Sequence, residues 1–153
     1  MAATSAGLLL WRRGQAELEV LIVHPGGPYW AKKDAGAWSL PKGEFDPASE
    51  TGLDAAKREF AEELGAAAPA GPYLPLGETR LKSGKIVHAW AIQGDFDIDT
   101  LVSNHFDVEW PPRSGRSQSF PEVDRAGWFN CETAATKVNP ALAVFIDRLV
   151  SVV

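Results

Sequence analysis

Three glutamates recur at the spacing i, i+3 and i+4 within residues 58–65. In an α-helix this spacing places Glu59, Glu62 and Glu63 on one stripe that spans an arc of roughly 100°. The adjoining face is apolar at helical spacing, with Leu53, Ala56, Phe60 and Leu64. The pattern predicts a helix that packs one face against a core and crowds carboxylates on the next.

Crowded carboxylates favour a bound cation. Like charges at i,i+4 destabilise an isolated helix by about 0.2 to 0.5 kcal/mol per pair, and Arg58 relieves only part of this repulsion. A hard divalent cation that prefers oxygen ligands, such as Mg²⁺ or Mn²⁺, would neutralise the stripe. The same residues could instead form a solvated acidic face with an ion pair between Arg58 and Glu62. Taken alone, the stripe leaves both interpretations open.

The residues around the stripe resemble the Nudix box. That pattern is glycine, five residues, glutamate, seven residues, Arg-Glu, an apolar residue, any residue, Glu-Glu, any residue, glycine and an apolar residue. The matching positions are Gly43, Glu50, Arg58, Glu59, Phe60, Glu62, Glu63, Gly65 and Ala66. Six residues instead of five separate Gly43 from Glu50. Since loops tolerate insertions, we expect a local bulge at residues 47–49 that leaves the helix intact.

The resemblance implies a hydrolase that acts on a nucleoside diphosphate linked to a further group, X. It also implies that Glu59, Glu62 and Glu63 bind Mg²⁺ or Mn²⁺, that one of them serves as the base, and that Gly43 offers its backbone carbonyl to the metal. These residue types suit the reaction. Attack of water on a phosphoryl group builds negative charge, and the protein assists by positioning, by metal neutralisation and by accepting a proton.

Four further acidic or basic residues have roles that the resemblance implies. Glu50 and Arg58 would form an ion pair that holds the loop against the helix. Some members of the family recruit another acid from a distant loop, and the candidates for that acid in this chain are Glu109 and Glu122.

Substrate-binding candidates lie mainly outside the box. Arg113 and Arg116 occupy a segment between two predicted strands, and a guanidinium suits phosphate oxygens. Lys42 precedes the box glycine and could contact a phosphate. Trp30 lies close to Lys33 in a long loop of glycine and proline, and could stack on a base. The alternatives are an exposed solubilising loop for the arginines, a solvated turn for the lysine and a core or cleft wall for the tryptophan.

The resemblance extends beyond the box. The segments at residues 24–28, 33–38 and 120–129 look like those of a bacterial subgroup of predicted nucleoside triphosphate pyrophosphohydrolases. The resemblance as a whole implies cleavage of a phosphoanhydride in a nucleoside triphosphate or a dinucleoside polyphosphate. The alternative is a module on the same fold that senses a nucleotide or metabolite without hydrolysing it. Loss of a box glutamate would mark such a module, and none is lost.

Composition limits the partners. The chain has a formal net charge of −5, which argues against a basic surface for long nucleic acids and leaves a small nucleotide as the expected partner. The single Cys131 excludes an internal disulfide and a multi-cysteine zinc site.

No run of about 18 apolar residues could cross a bilayer, so we expect a cytoplasmic protein without membrane contact. The loop at Trp30 could also contact a second subunit in a homodimer.

The order of elements predicts an α/β fold, and the resemblance implies the Nudix-type α/β/α sandwich with a mixed sheet, as a single domain over residues 1–153. Two hairpins are predicted, at residues 5–12 with 18–24 and at residues 76–81 with 86–93. Shorter strands are predicted at residues 38–40, 108–110 and 127–129. Helices are predicted at residues 50–64, with Ser49 as the cap and Gly65 at the end, and at residues 139–150.

Overall fold

The computed structural model describes residues 3–153. Its strands are β1 Thr4–Arg13, β2 Leu18–Pro25, β3 Lys42–Glu44, β4 Leu74–Arg80, β5 Ile86–Gln93, β6 His105–Glu109, β7 Ser117–Pro121 and β8 Val123–Asn130. Its helices are α1 Gly52–Leu64, α2 Cys131–Lys137 and α3 Ala143–Val152. None of the helices within residues 3–153 is long and apolar enough to cross a membrane.

The main sheet has the order β4-β5-β1-β2-β8, and β3 pairs with β1 beside it. The pair of β1 and β5 is parallel, while the other pairs are antiparallel. Strands β6 and β7 form a separate hairpin. The sheet is therefore mixed, as predicted, and both predicted hairpins are confirmed.

The central strand β1 is buried on both faces, because successive side chains of a strand alternate between the two sides. On one side Leu8 and Leu10 pack in a cluster with Phe60 and Leu64 of α1. On the other side Leu9 and Trp11 pack with Ala134 of α2 and with Phe145, Ile146 and Leu149 of α3. Helices therefore cover both faces, and the predicted α/β/α sandwich is confirmed.

Some local predictions are wrong. Residues 38–40 form only isolated bridges, to Val23 and Val138, and the regular strand begins at Lys42. The backbone of Trp38 forms hydrogen bonds with Lys137, the last residue of α2, and with Asn139, so its partners are distant in sequence. The sequence analysis also missed β7 and α2. The last helix begins at Ala143, after a 3₁₀ turn at Pro140–Leu142.

Helix α1 begins after Thr51, which corrects the predicted cap. The Thr51 side chain accepts a hydrogen bond from the backbone N–H of Asp54 at 3.1 Å. Ser49 lies in a preceding turn, where its backbone N–H donates to the Asp46 carbonyl at 2.9 Å. Gly65 ends the helix in a left-handed conformation with φ of 77°, as predicted, since glycine adopts that conformation without steric cost.

A pair of substitutions distinguishes the two caps. Thr51→Ala removes an oxygen that accepts from the first turn of α1 and should lower the free energy of unfolding by about 1 kcal/mol. Ser49→Ala, the matched control, should change it by less than about 0.5 kcal/mol because this exposed hydroxyl caps no helix. Urea denaturation of both variants measures the difference, and equal losses would contradict the assignment of the cap.

Candidate active site

A cluster of three carboxylates lies where α1 meets the rest of the fold. Glu59 and Glu63 are one helical turn apart, and they are only 7% and 9% exposed. Glu122, the single residue between β7 and β8, joins them. One carboxylate oxygen from each of the three lies within 4.8 Å of the other two. These residues are called the acidic cluster below.

Two other predicted acids lie outside the acidic cluster. The side chain of Glu62 is 37% exposed and accepts hydrogen bonds from Arg58 at 3.4 Å. Glu109 accepts a hydrogen bond at 2.9 Å from the backbone N–H of Arg113, across the turn of the β6–β7 hairpin. Of the two candidates for an additional acid, the structure therefore brings only Glu122 to Glu59 and Glu63.

Strand β3 brings the backbone of Gly43 against the carboxylate of Glu59. A Cβ atom added to Gly43 would lie 2.1 Å from Cδ of Glu59 and 2.2 Å from its Oε2. A side chain at position 43 would displace the Glu59 carboxylate, so glycine at this position lets that carboxylate lie directly against the strand. The backbone next to Lys42 consequently forms one wall of the site.

Arg58 connects the loop before the helix to the acidic cluster. Its Nη2 donates to Oε1 of Glu50 at 2.6 Å, and its Nη1 donates to Oε1 of Glu59 at 2.9 Å. The extra residue of the loop is accommodated in a turn in which the N–H groups of Ser49 and Glu50 donate to the carbonyl of Asp46. The ion pair between Glu50 and Arg58 therefore forms despite the insertion.

Burial and repulsion favour the protonated forms of the acidic cluster. Burial raises the pKa of Glu63 to about 8, and the charges of Glu59 and Glu122 add to the rise. Burial also raises the pKa of Glu59 and of Glu122, followed by the charge of Glu62. Three hard oxygen donors with unfavourable negative charge suit a divalent cation, which would stabilise their ionised forms.

A cavity of about 120 Å³ lies beside the acidic cluster. Its polar lining includes Lys42, Glu63 and Glu122. Burial lowers the pKa of the Lys42 ammonium, and the charge of Lys85 lowers it further. The cavity is far smaller than the roughly 300 to 1,000 Å³ of a pocket for a drug-sized ligand, so only part of a nucleotide could enter it. A larger cavity near the β1–β2 turn contains none of these residues.

The loop at residues 26–36 and the β6–β7 hairpin meet through aromatic rings. Tyr29 contacts Trp110 edge-to-face, with ring centroids 5.4 Å apart. Trp30 is 41% exposed, and Nζ of Lys33 lies 5.1 Å from its ring centroid. Sequence analysis missed the contact between Tyr29 and Trp110, because two aromatic residues in separate loops give no signal of mutual contact.

The predicted phosphate contacts lie at the tip of the β6–β7 hairpin. Arg113 and Arg116 are both exposed there. Arg113 has a left-handed backbone with φ of 61°, and Arg116 donates its N–H to the hydroxyl of Ser114 at 3.1 Å. The structure does not place either residue in the lining of the cavity beside the acidic cluster.

Solved structures share this fold. The binary complex of a Caenorhabditis elegans Ap4A hydrolase aligns with a TM-score of 0.66 at 19% identity, over 96% of each chain. The NUDIX domain of Shewanella oneidensis NrtR, complexed with ADP ribose, aligns with a TM-score of 0.64 at 14% identity, over 99% of this chain and 88% of the other. A NUDIX hydrolase from Nitrosomonas europaea aligns with a TM-score of 0.60 at 16% identity, over 99% and 90%.

These structures place the protein in a class of α/β/α sandwiches. At these sequence identities they show only that the fold is shared. The sequence profile of the NUDIX domain matches residues 1–149, which is nearly the whole chain. The protein therefore belongs to the Nudix hydrolase family, as its box predicts. Within that family it is a pyrophosphohydrolase, an enzyme that acts on acid anhydrides of phosphorus.

The raised pKa of Glu63 predicts a stability that falls with pH. The folded state binds the proton more tightly, since the pKa rises from 4.5 to about 8 on folding. This stabilisation is present below pH 4.5 and is lost as the pH rises towards 8. The loss should amount to a few kcal/mol, at about 1.4 kcal/mol per unit. Glu63→Gln, which mimics the neutral acid, should flatten this part of the profile.

Chemical denaturation at several pH values, with a chelator present, measures the profile. Glu78→Gln removes an exposed carboxylate of β4 and serves as the matched control. Its free energy of unfolding should vary with pH as steeply as that of the wild-type protein. Parallel profiles for the wild-type protein and Glu63→Gln would contradict the assignment of a buried, proton-binding Glu63.

Proposed function

We propose that the protein hydrolyses a phosphoanhydride bond in a nucleoside triphosphate or a dinucleoside polyphosphate, with Mg²⁺ or Mn²⁺ at the acidic cluster. The observation that carries the proposal is the convergence of Glu59, Glu63 and Glu122 beside the backbone of Gly43. Two proteins of the same fold support a nucleotide as the ligand, since one is an Ap4A hydrolase and the other is complexed with ADP ribose.

The carboxylates of the acidic cluster and the carbonyl of Gly43 would hold the divalent ion. When bound, the ion neutralises negative charge on the phosphate oxygens that develops during hydrolysis. Arg58 fixes Glu59 through the hydrogen bond at 2.9 Å, which orients one donor before the ion arrives. Because most of the site is formed by α1 and β3, its donors are held on regular elements with little freedom to move.

We assign Glu62 as the general base. It lies on the same stripe of α1 as Glu59 and Glu63, but its side chain is more exposed and is held only by long contacts with Arg58. An exposed carboxylate next to a metal-holding cluster can accept the proton of an attacking water molecule. The three glutamates implied by the box would thus have two roles, since Glu59 and Glu63 hold the ion and Glu62 accepts the proton.

The surrounding loops would bind the rest of the nucleotide. Exposed Trp30 offers a ring face on which a base can stack, and Lys33 lies beside that ring. Lys42 lines the cavity at the acidic cluster and would contact a phosphate there. Arg113 and Arg116, at the exposed hairpin tip, would contact phosphates farther from the reacting bond.

Substitutions of Glu63 and Glu62 should separate the two roles. Glu63→Gln removes a buried donor, so it should weaken Mg²⁺ binding at least about tenfold and reduce kcat/KM with it. Glu62→Gln should reduce kcat by roughly 10²- to 10⁴-fold while Mg²⁺ affinity changes little. Calorimetric titration measures the affinity, and anion-exchange chromatography of products from a nucleotide panel measures turnover.

Glu132→Gln, at an exposed glutamate of α2, is the control and should change neither quantity. Full activity of the double variant of Glu62 and Glu63 would refute the proposed chemistry. Tight nucleotide binding without any product in the presence of Mg²⁺ and Mn²⁺ would favour the sensing module on the same fold.

The hairpin tip should affect binding more than chemistry. Replacing Arg113 and Arg116 together with glutamine should raise KM by about tenfold or more, since each loses charge-assisted hydrogen bonds to phosphate. The kcat should change little because neither residue reaches the acidic cluster. Arg80→Gln, at an exposed arginine of β4, is the matched control. An unchanged KM in the double variant would remove these arginines from the binding site.

A further inference from the structure

His24, near the end of β2, is completely buried, and both of its ring nitrogens contact oxygen acceptors. Nδ1 lies 2.8 Å from Oδ1 of Asp124, and Nε2 lies 2.7 Å from the backbone carbonyl oxygen of Lys33. The ring also meets the edge of Trp38, with centroids 5.3 Å apart. Both polar atoms of this buried side chain therefore have partners.

Only one form of the ring can donate to both partners. A neutral imidazole has one N–H group and one lone pair, whereas the doubly protonated ring has two donors. The Lys33 carbonyl can only accept, and so can the Asp124 carboxylate. In either neutral tautomer, one nitrogen would therefore direct its lone pair at an oxygen lone pair at hydrogen-bond distance. The doubly protonated ring avoids this repulsion, and Asp124 supplies the opposite charge.

Charged groups from three elements surround this pair. On β8, Nε of Arg125 lies 3.6 Å from Oδ1 of Asp124. Asp34 of the loop accepts a hydrogen bond from the Trp38 ring and pairs with Lys137 of α2 at 3.1 Å. Each cation therefore has an acid within reach, and no other carboxylate bonds to the ring of His24 among the described residues.

Through Asp124, His24 is linked to β8, the strand that follows Glu122 of the acidic cluster. The pairing of β2 and β8 shifts between His24 and Pro25, which leaves Asp124 as an additional residue of β8. Such bulges redirect side chains, and here the redirected side chain faces His24. Just beyond it, the N–H of Gly26 donates to the carbonyl of Glu122 at 2.9 Å. The contact between His24 and Asp124 thus holds the start of β8, directly after Glu122 of the acidic cluster.

Through the carbonyl of Lys33, His24 is linked to the loop proposed to bind the base. His24 binds the carbonyl of Lys33, and the N–H of Lys33 donates to the carbonyl of Trp30 at 3.0 Å. The Lys33 ammonium also lies over the Trp30 ring. One path of hydrogen bonds from Trp30 to the start of β8, directly after Glu122, therefore passes through this buried imidazole ring.

We infer that His24 is a positioning residue that, in its doubly protonated form, ties the loop carrying Trp30 and Lys33 to the start of β8, directly after Glu122. It touches neither the acidic cluster nor the cavity beside it. The effect on catalysis rests on the proposed function, whereas the hydrogen bonding of the ring does not. The two parts can be tested separately.

Nuclear magnetic resonance tests the ring without any substrate. In metal-free protein labelled with ¹⁵N at histidine, His24 should show two protonated ring nitrogens at pH 7, with its signals assigned by their loss in His24→Asn. Asp124→Asn retains an acceptor but removes the charge, so His24 should then show one. A single protonated nitrogen in the wild-type protein, or two in Asp124→Asn, would overturn the inferred charge pair.

Kinetics tests the positioning role. His24→Asn and Asp124→Asn should each raise KM for the cleaved nucleotide by about tenfold, because each removes a hydrogen bond to a charged group. His105→Asn, at an exposed histidine, is the control and should leave KM unchanged. Asp124→Asn keeps the size of the side chain and remains informative if His24→Asn fails to fold.

The outcomes separate this inference from the proposed function. If the wild-type protein hydrolyses a nucleotide and Asp124→Asn retains the wild-type KM, the positioning role is overturned while the hydrolase stands. If no nucleotide is hydrolysed, the proposed function fails, and the protonation of the ring still decides whether the charge pair exists.

Discussion

The carboxylate of Glu59 packs directly on the backbone of Gly43, and the site is built where α1 and β3 meet at this contact. It is possible because the strand has no side chain at that position and because Phe60 anchors the helix in the apolar layer below. A helix placed in this way cannot slide along the sheet without losing its core contacts. The separation of Glu59 from the backbone of β3 is consequently set by the packing of the whole layer.

This packing brings like charges together at a cost in stability. Glu63 is buried beside two other carboxylates, and both burial and repulsion oppose its ionisation. Arg58 compensates part of the charge by binding Glu59 and Glu50 at the same time. The apolar layers on both faces of the sheet supply the stability that offsets the remainder. Clusters of this kind are typical of functional sites, where local stability is lower than packing alone would allow.

The sequence predicted best where a pattern depends on near neighbours. The stripe of glutamates, the end of α1 at Gly65 and both hairpins follow from helical or strand periodicity and from turn residues. It failed where two similar residues compete within a few positions. Ser49 and Thr51 are both good caps, and the choice fell to Thr51 because Ser49 is held in the turn at Asp46.

The sequence by itself determined the family, the layered α/β fold and the acidic stripe of α1, because these depend on spacing within short segments. Only the tertiary structure chose Glu122 over Glu109 as the third member of the acidic cluster. It also joined His24 to Asp124 and Tyr29 to Trp110. Each of these contacts links residues far apart in the chain, and their proximity depends on strand register and on how loops cross the sheet edge. Local residue patterns carry no record of that geometry.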